Sequence, residues 1–442
     1  MPDHTSRSTA IELVRRLQSA GYTAFWVGGC VRDFLLGREP QDYDIATSAR
    51  PEDIERLFRR TVPVGRKFGV MVVVEQGISF QVATFRAEAD YRDGRRPEQV
   101  TFANAEADAR RRDFTVNGLF YDPVAEKLHD WVGGEADVRA KRIRTIGLPE
   151  ERFAEDHLRL LRAVRFAAQL GFEIESDTFN AIKRLAPKIE RISAERIRDE
   201  LIKLFRPPHA GRGWVLLRDS GLLPGVLPEL VATIACEQSP EFHPEGTVFN
   251  HIRLMLEKMP ADAPPSLPWA ILLHDMAKPA TAERDAATGK IHFYGHEKVG
   301  ARLAERLLTR LRFPKKQIEE IVACVLQHMQ FKDVKEMRQA TLRRLLMRET
   351  FPLELELHRL DCLGSHGGLD FYEFLVAQAA ELAKQPAIRP PLLTGDDLIE
   401  LGVKPGAALG TLLAAIREKQ LSDELKTPEA ARVWVKQHLK HG

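Results

Sequence analysis

An apolar run that breaks on a glycine pair, Phe25-Trp26-Val27-Gly28-Gly29-Cys30-Val31-Arg32-Asp33, is followed closely by Asp42-Tyr43-Asp44. This combination constrains the fold more than any other part of the chain. The run reads as a strand that stops at a glycine turn and restarts as a helix. Gly28 and Gly29 let backbone N–H groups close on a polyphosphate, and a helix start favours negative charge there. Alternate residues of a strand share a face, so Asp42 and Asp44 are expected side by side, with Tyr43 opposite. Paired carboxylates are hard ligands for Mg²⁺, which keeps several waters and takes further oxygens from phosphate. Each half alone is an ordinary turn; together they describe a site for metal-dependent nucleotidyl transfer.

The length, 442 residues, allows two to four domains. The net charge of +2 gives no whole-molecule argument for binding nucleic acid, so local charge must carry that claim. Cys30, Cys236, Cys324 and Cys362 are scattered without metal or disulfide spacing, which fits a reducing cytoplasm. The first residues lack the apolar core of an export signal, and no segment is apolar for long enough to span a bilayer.

Apolar spacing predicts an amphipathic helix over 8–20, with Leu13, Val14 and Leu17 on one face. Strands are predicted over 24–27, 43–46, 70–75 and 79–86, and a helix over 51–58 that opens on Pro51. Strands and helices mix to about residue 147; beyond it strand signals almost vanish. The expected domains are 1–148, 149–215, 216–380 and 381–442.

Further segments follow in order: Arg111-Arg112-Asp113-Phe114-Thr115-Val116-Asn117, Asp130-Trp131-Val132-Gly133-Gly134, Ile143-Arg144-Thr145-Ile146-Gly147, Glu155-Asp156-His157-Leu158-Arg159 running on to Phe166, and Ser193-Ala194-Glu195-Arg196-Ile197. With the opening motif, their order and spacing over residues 10 to about 215 resemble the class II tRNA nucleotidyltransferase and bacterial poly(A) polymerase superfamily. The resemblance implies an α+β protein. Its N-terminal nucleotidyltransferase head is α/β and polymerase β-like. An all-helical neck, an HD-type helical domain and a helical tail follow.

That resemblance implies roles residue by residue. Asp42 and Asp44 hold the catalytic Mg²⁺; Gly28, Gly29 and Arg32 contact the triphosphate; Arg112, Arg162 and Arg165 lie near it. By spacing alone, Asp156 and Arg159 are neighbours on one helix face, an acceptor beside a donor that suits cytosine or adenine or, equally, an intrahelical ion pair. In the resembling family this element is the protein template for CTP and ATP. The polar loop over 87–97 is one that, in that family, helps switch specificity from C to A. One departure stands out: many members carry a carboxylate where this chain has Gln81. The cations between Lys183 and Arg218 read as an RNA-tracking neck or as a solvated face balanced by Glu190, Glu195, Asp199 and Glu200.

A second cluster comprises His251, His274-Asp275, His296, His328 and Asp361. It looks like the HD phosphohydrolase pattern, with His251, His274, Asp275 and Asp361 at the core positions. Mixed imidazole and carboxylate donors suit a divalent transition metal. The expected function is addition of C, C and A to the tRNA 3′ end from CTP and ATP, with a possible HD phosphohydrolase activity. The alternatives are a poly(A) polymerase or an A-adding transferase, and a metal phosphohydrolase with an RNA-binding N-terminal module. The Leu36-Gly37-Arg38-Glu39-Pro40-Gln41-Asp42 run is poly(A)-polymerase-like, whereas the final residues carry no long basic tail.

Overall fold

The computed structural model describes residues 4–87, 101–384 and 390–439. The chain divides into two compact units, Met1–Val231 and Ala232–Gly442. Residues 88–97, most of the expected specificity loop, lie outside the described residues.

The first unit is built on a seven-stranded sheet. Its strands are β1 (Ala24–Val27), β2 (Ile45–Thr47), β3 (Thr61–Gly65), β4 (Val70–Glu75), β5 (Ile78–Thr84), β6 (Phe120–Asp122) and β7 (Lys127–His129). Their order is β3-β4-β5-β2-β1-β6-β7. The β2–β5 pair is parallel; the other neighbours are antiparallel. Every residue of β1 is buried, as expected of a central strand covered on both faces. Phe25 and Val27 pack with Ala46, Phe85 and Phe120 on one side. On the other, the Trp26 indole N–H donates to the Ala10 carbonyl of α1 (His4–Ser19) at 3.4 Å, and its ring lies 4.7 Å from that of Tyr43. Leu13, Val14 and Leu17 are buried, so the apolar face expected for α1 is its core face.

Gly28 ends β1 at φ +76° and ψ −128°, and α2 (Gly29–Leu35) starts at once. A helix occupies Pro51–Leu57, α3, with Pro51 in its first turn. Past the sheet come α4 (Pro149–Glu155), α5 (Leu158–Leu170) and α6 (Ala194–Leu204). Helix α5 packs against α6 with a long apolar face that includes Leu160, Leu161 and Val164.

The second unit is almost wholly helical. Helices α7 (Val248–Glu257), α8 (Leu267–Leu273), α9 (His296–Arg310), α10 (Lys315–Gln327) and α11 (Phe351–Gly364) surround one core. Helix α8 is buried along its whole length, so it is apolar all round. Residues 392–435 build a smaller apolar cluster around Leu398, Ile416 and Val435. No helix among the described residues is long and apolar enough to cross a membrane.

Candidate active site

The strand carrying the aspartates is shorter than expected. Ladder pairing begins at Ile45, and Asp42 and Asp44 lie in the extended segment that leads into it. Alternation holds nonetheless: both aspartates are exposed, while Tyr43 between them is buried. The Val27 N–H donates to the Asp44 carbonyl at 3.0 Å, which pins this segment beside the glycine turn. Among the described residues, neither carboxylate makes an ion pair or a side-chain hydrogen bond. Desolvation raises the Asp44 carboxyl above its usual range; Arg112 works against this and Asp42 adds to it. Two unsatisfied carboxylates that repel each other fit a divalent cation. Ile45 pairs with Val82 in the parallel ladder, so one step back sets Asp44 beside Gln81, an amide without charge.

Asp44 and Gln81 line a recess of about 710 Å³ that also takes in Gly28, Gly29, Arg32, Arg112, Asp156, Arg159 and Arg162. Most of the sequence elements thus meet in one cavity, whose cations are held in fixed places; Asp42 is not among the residues that line it. The Arg32 Nη1 donates to Asn117 Oδ1 at 2.7 Å and its Nε to Asp33 at 2.9 Å. Arg112 is held by Asp108 and by the Asn117 carbonyl. A Cβ on Gly28 would stand 3.0 Å from Arg112 Nη1, so glycine is what permits this approach. Arg162 grips Asp113 through Nε at 2.9 Å and Nη2 at 2.6 Å. Burial pushes the Asp113 carboxyl up, but Arg162 outweighs it and holds the group below its usual range.

Two expectations need correction. Asp156 does not share a helix with Arg159: α4 ends at Glu155, and Asp156 is extended, at φ −151°. Its carboxylate accepts the Leu158 N–H at 3.0 Å, a local side-chain bond that competes with helix, and it is ion-paired to Arg196. Arg159 pairs with Glu155 and donates to the Arg152 carbonyl. Both still line the recess; the Arg159 N–H donates to the Asp156 carbonyl at 3.0 Å, but their side chains do not pair. Arg165 does not line it; its Nε donates to the buried Glu200 at 2.6 Å. Several neck cations are likewise spoken for: Arg184 pairs with Glu150, Arg212 with Glu173 and Arg218 with Asp219. Sequence reasoning assigned no role to Asp113, Asn117 or Asp108 and read Glu200 as the counter-charge of a solvated face; Asp108 holds Arg112 from four residues away, whereas Asp113, Asn117 and the buried Glu200 orient Arg162, Arg32 and Arg165 from far along the chain.

In the second unit, helix ends gather the expected donors. His251 lies within α7, His274 and Asp275 at the end of α8, His296 at the start of α9, His328 at the end of α10 and Asp361 within α11. Nδ1 of His274, His296 and His328 each donates to a backbone carbonyl, of Ile271, Phe293 and Val325, at 2.7–2.8 Å. Nδ1 of His251 donates to Glu245 at 2.7 Å, and the same oxygen takes Nδ1 of His243 at 2.9 Å. Rings fixed this way present Nε2 inward, as metal-binding histidines do. His251 Nε2 is 3.0 Å from Asp361 Oδ1. Burial disfavours charge on His251, yet Asp361 and Glu245 outweigh it and lift the group to about 9, so the cage favours a cation. Burial drives His328 down to about 3, leaving it neutral. These donors fit a divalent metal. A cavity of about 610 Å³ opens beside them, lined by Lys278, Tyr294 and Lys332 among others. Glu245 and His243, unassigned in the sequence, were signalled only by a His-Pro-Glu run ahead of His251.

Family models match three stretches: a Poly A polymerase head domain over residues 24–144, a probable RNA and SrmB-binding site of polymerase A over 171–233, and an HD domain over 243–363. The CCA-adding enzyme of Geobacillus kaustophilus (strain HTA426) is 46% identical over 226 residues, which are 51% of this chain and 55% of that protein. The chain thus spans about half the length of such relatives. That of Latilactobacillus sakei subsp. sakei (strain 23K) is 33% identical over 428 residues, 95% of this chain and 96% of the relative. The crystal structure of the Bacillus stearothermophilus CCA-adding enzyme in complex with CTP superposes with a TM-score of 0.76 at 28% identity, covering 98% of both chains. With an almost full-length match, and with the head motifs and the histidine cluster each folded into one site, the chain belongs to the CCA-adding enzyme family.

Proposed function

We propose that this protein adds C, C and A to the 3′ end of tRNA from CTP and ATP. One observation carries the reading: a single recess gathers Asp44, the glycine turn, Arg32, Arg112 and Arg162, and the base-reading pair Asp156 and Arg159. The relative solved with CTP supports it. Arg32, Arg112 and Arg162 hold the triphosphate by charge-assisted hydrogen bonds. Asp156 accepts from, and Arg159 donates to, the edge of cytosine or adenine. Asp42 and Asp44 hold Mg²⁺, which when bound stabilises the attacking and leaving oxygens. Arg165 acts through Glu200, outside the recess. The working domains are the head (1–148), the neck (149–215), the HD-type region (216–380) and the tail (381–442). A reducing cytoplasm suits the four free, buried cysteines.

A second activity is favoured by the histidine cage and its cavity. His251, His274, Asp275 and Asp361 hold a divalent transition metal, which when bound activates water for phosphoester hydrolysis. Lys278 and Lys332 supply positive charge for the phosphate.

The decisive experiment offers three tRNA transcripts, ending before CCA, after C and after CC, with CTP, ATP or both. Extension of all three to one fixed length is expected, and Asp42→Ala abolishes it. Extension of the CC-ended transcript alone would establish an A-adding enzyme instead. Open-ended adenylation of unrelated RNA would establish a poly(A) polymerase.

A further inference from the structure

We infer that the open face of the sheet beyond Asp44 receives the terminal nucleoside of the RNA acceptor, on an apolar shelf made by Val72 and Val62. This rests on the proposed nucleotidyl transfer at Asp42 and Asp44 and names a site for its second substrate. Ladder register carries one row of side chains outward from Asp44. Asp44 stands beside Gln81, Gln81 is paired with Val72, and Val72 is paired with Val62. Directly paired residues share a face, so all four project the same way. With strands roughly 4.8 Å apart, Val72 lies about 10 Å from Asp44 and Val62 about 14 Å. The row is open: Val70, Val72 and Val74 are half-buried where Met71 and Val73 between them are buried. On the edge strand β3, Val62 is 47% exposed and Val64 68%. Val70, Gln81 and Ala83 also line the recess, so the shelf continues its floor. Exposed apolar side chains gathered beside a polar site mark a contact surface.

The direction of the reaction says what lies there. In phosphoryl transfer the attacking and leaving oxygens stand roughly in line on opposite sides of the phosphorus. The glycine turn and Arg32 sit at the β1 side of Asp44, whereas β5, β4 and β3 follow in order on its other side. Pyrophosphate therefore leaves toward β1, and the attacking 3′-hydroxyl arrives over Gln81. Its oxygen bonds to the α-phosphorus as the bond to pyrophosphate breaks, and its proton passes to water. Gln81 is exposed and makes no side-chain hydrogen bond among the described residues. Its amide offers a donor and an acceptor to the ribose hydroxyls. The base then rests on Val72 and Val62. Apolar contact does not distinguish one base from another, which suits an acceptor whose last base changes as the chain grows. Arg60 is exposed, makes no ion pair among the described residues, and accepts the Val74 N–H through its carbonyl at 2.9 Å. It stands at the outer end of the shelf, where a cation meets a backbone phosphate.

The test uses the full chain, a tRNA transcript ending in CC, and ATP. Val62→Ser combined with Val72→Ser is expected to raise KM for the transcript about 10-fold, the loss of a modest apolar contact, and to leave KM for ATP unchanged. Val62→Leu keeps the contact and should behave as the parent. A second arm irradiates the parent, without nucleotide, with a transcript whose terminal nucleoside is 4-thiouridine. Crosslinks are expected between Arg60 and Gln81. An unchanged transcript KM, equal rises for transcript and ATP, or crosslinks confined to other segments would overturn the shelf and leave the transferase reading standing. A parent dimer that Val62→Ser turns into a monomer would assign the valines to a second copy and overturn it likewise. No extension by the parent would overturn both readings. The crosslinks decide even if the serine variant fails to fold.

Discussion

Arg196 reaches across 40 residues of sequence to hold Asp156, with Nη1 at 3.2 Å from Oδ1 and Nη2 at 2.6 Å from Oδ2. Asp156 is extended ahead of its helix, so this two-point grip, with the Leu158 N–H, fixes where its oxygens face. The side chains of Asp156 and Arg159 do not pair, although the Arg159 N–H donates to the Asp156 carbonyl at 3.0 Å, so in the proposed reading of the base each side chain must keep its own position. Arg196→Ala should therefore free Asp156 and blur recognition. A displacement of about 1 Å at a reacting site costs up to roughly 100-fold. The expected loss in kcat/KM for CTP and ATP is about 10- to 100-fold, with UTP misincorporation rising. An unchanged CTP-to-UTP ratio would show that Arg196 does not position the template.

The Arg162–Asp113 pair makes the head sensitive to acid. Burial raises the Asp113 carboxyl, but Arg162 overcomes this and leaves it depressed. A carboxylate depressed in the folded state contributes stability that is complete above its unfolded pKa, about 3.9. That contribution is lost as pH falls through the folded value. Asp113→Asn should thus destabilise the head by about 1–3 kcal/mol at neutral pH, the cost of removing one partner of a buried bond. The gap from the parent should narrow as the medium is taken below about pH 4. Denaturant midpoints of both proteins at neutral and acid pH test this; a gap independent of pH would remove Asp113 from the acid response.

Local rules read the head well where one side chain and its neighbours decide the outcome. Strands β1 and β4 fall where apolar patterning and branching put them, because each lies between two partner strands. Strand β2 starts two residues late because Ile45 is the first residue laddered to both β1 and β5. The helix spacing that joined Asp156 to Arg159 failed because Asp156 is extended between two helices, where its carboxylate takes the Leu158 N–H and the Arg196 guanidinium. The acidic groups that aim the arginines were not legible. Asp113 meets Arg162 over 49 residues and Glu200 meets Arg165 over 35, distances at which charge pairing leaves no periodic trace. The histidines and aspartates that gather in the second unit were legible as a set; which Asp275 oxygen each ring faces was not.

Gly28 combines two demands. Its φ of +76° with ψ of −128° is a conformation side chains rarely adopt, and a Cβ there would meet Arg112 Nη1 at 3.0 Å. Gly28→Ala is expected to cost about 1–3 kcal/mol in backbone strain and to push Arg112 aside. The measurable result is an earlier unfolding midpoint for the head together with a raised KM for both nucleotides. Gly37→Ala is the control, since Gly37 also has positive φ, but a Cβ there meets nothing within 4 Å. It should share the strain without the KM effect. Equal KM values for the two variants would mean that Arg112 does not depend on Gly28.

Glu245 is the buried group that orients His251. One of its oxygens accepts Nδ1–H from both His251 and His243, so the His251 ring is turned with Nε2 toward Asp361. Glu245→Gln keeps the shape but replaces a charged acceptor by a neutral one that must also find room for an NH₂. Removing such an outer partner typically weakens metal binding about 10- to 100-fold. Competition between the full-length protein and a fluorescent chelator for Mn²⁺ reads this directly, without any hydrolysis assay. Glu241→Gln is the comparison: Glu241 pairs with Lys290 at the surface and should leave the affinity unchanged. If Glu245→Gln binds Mn²⁺ as tightly as the parent, His251 is held by its helix alone and Glu245 has no part in building the cage.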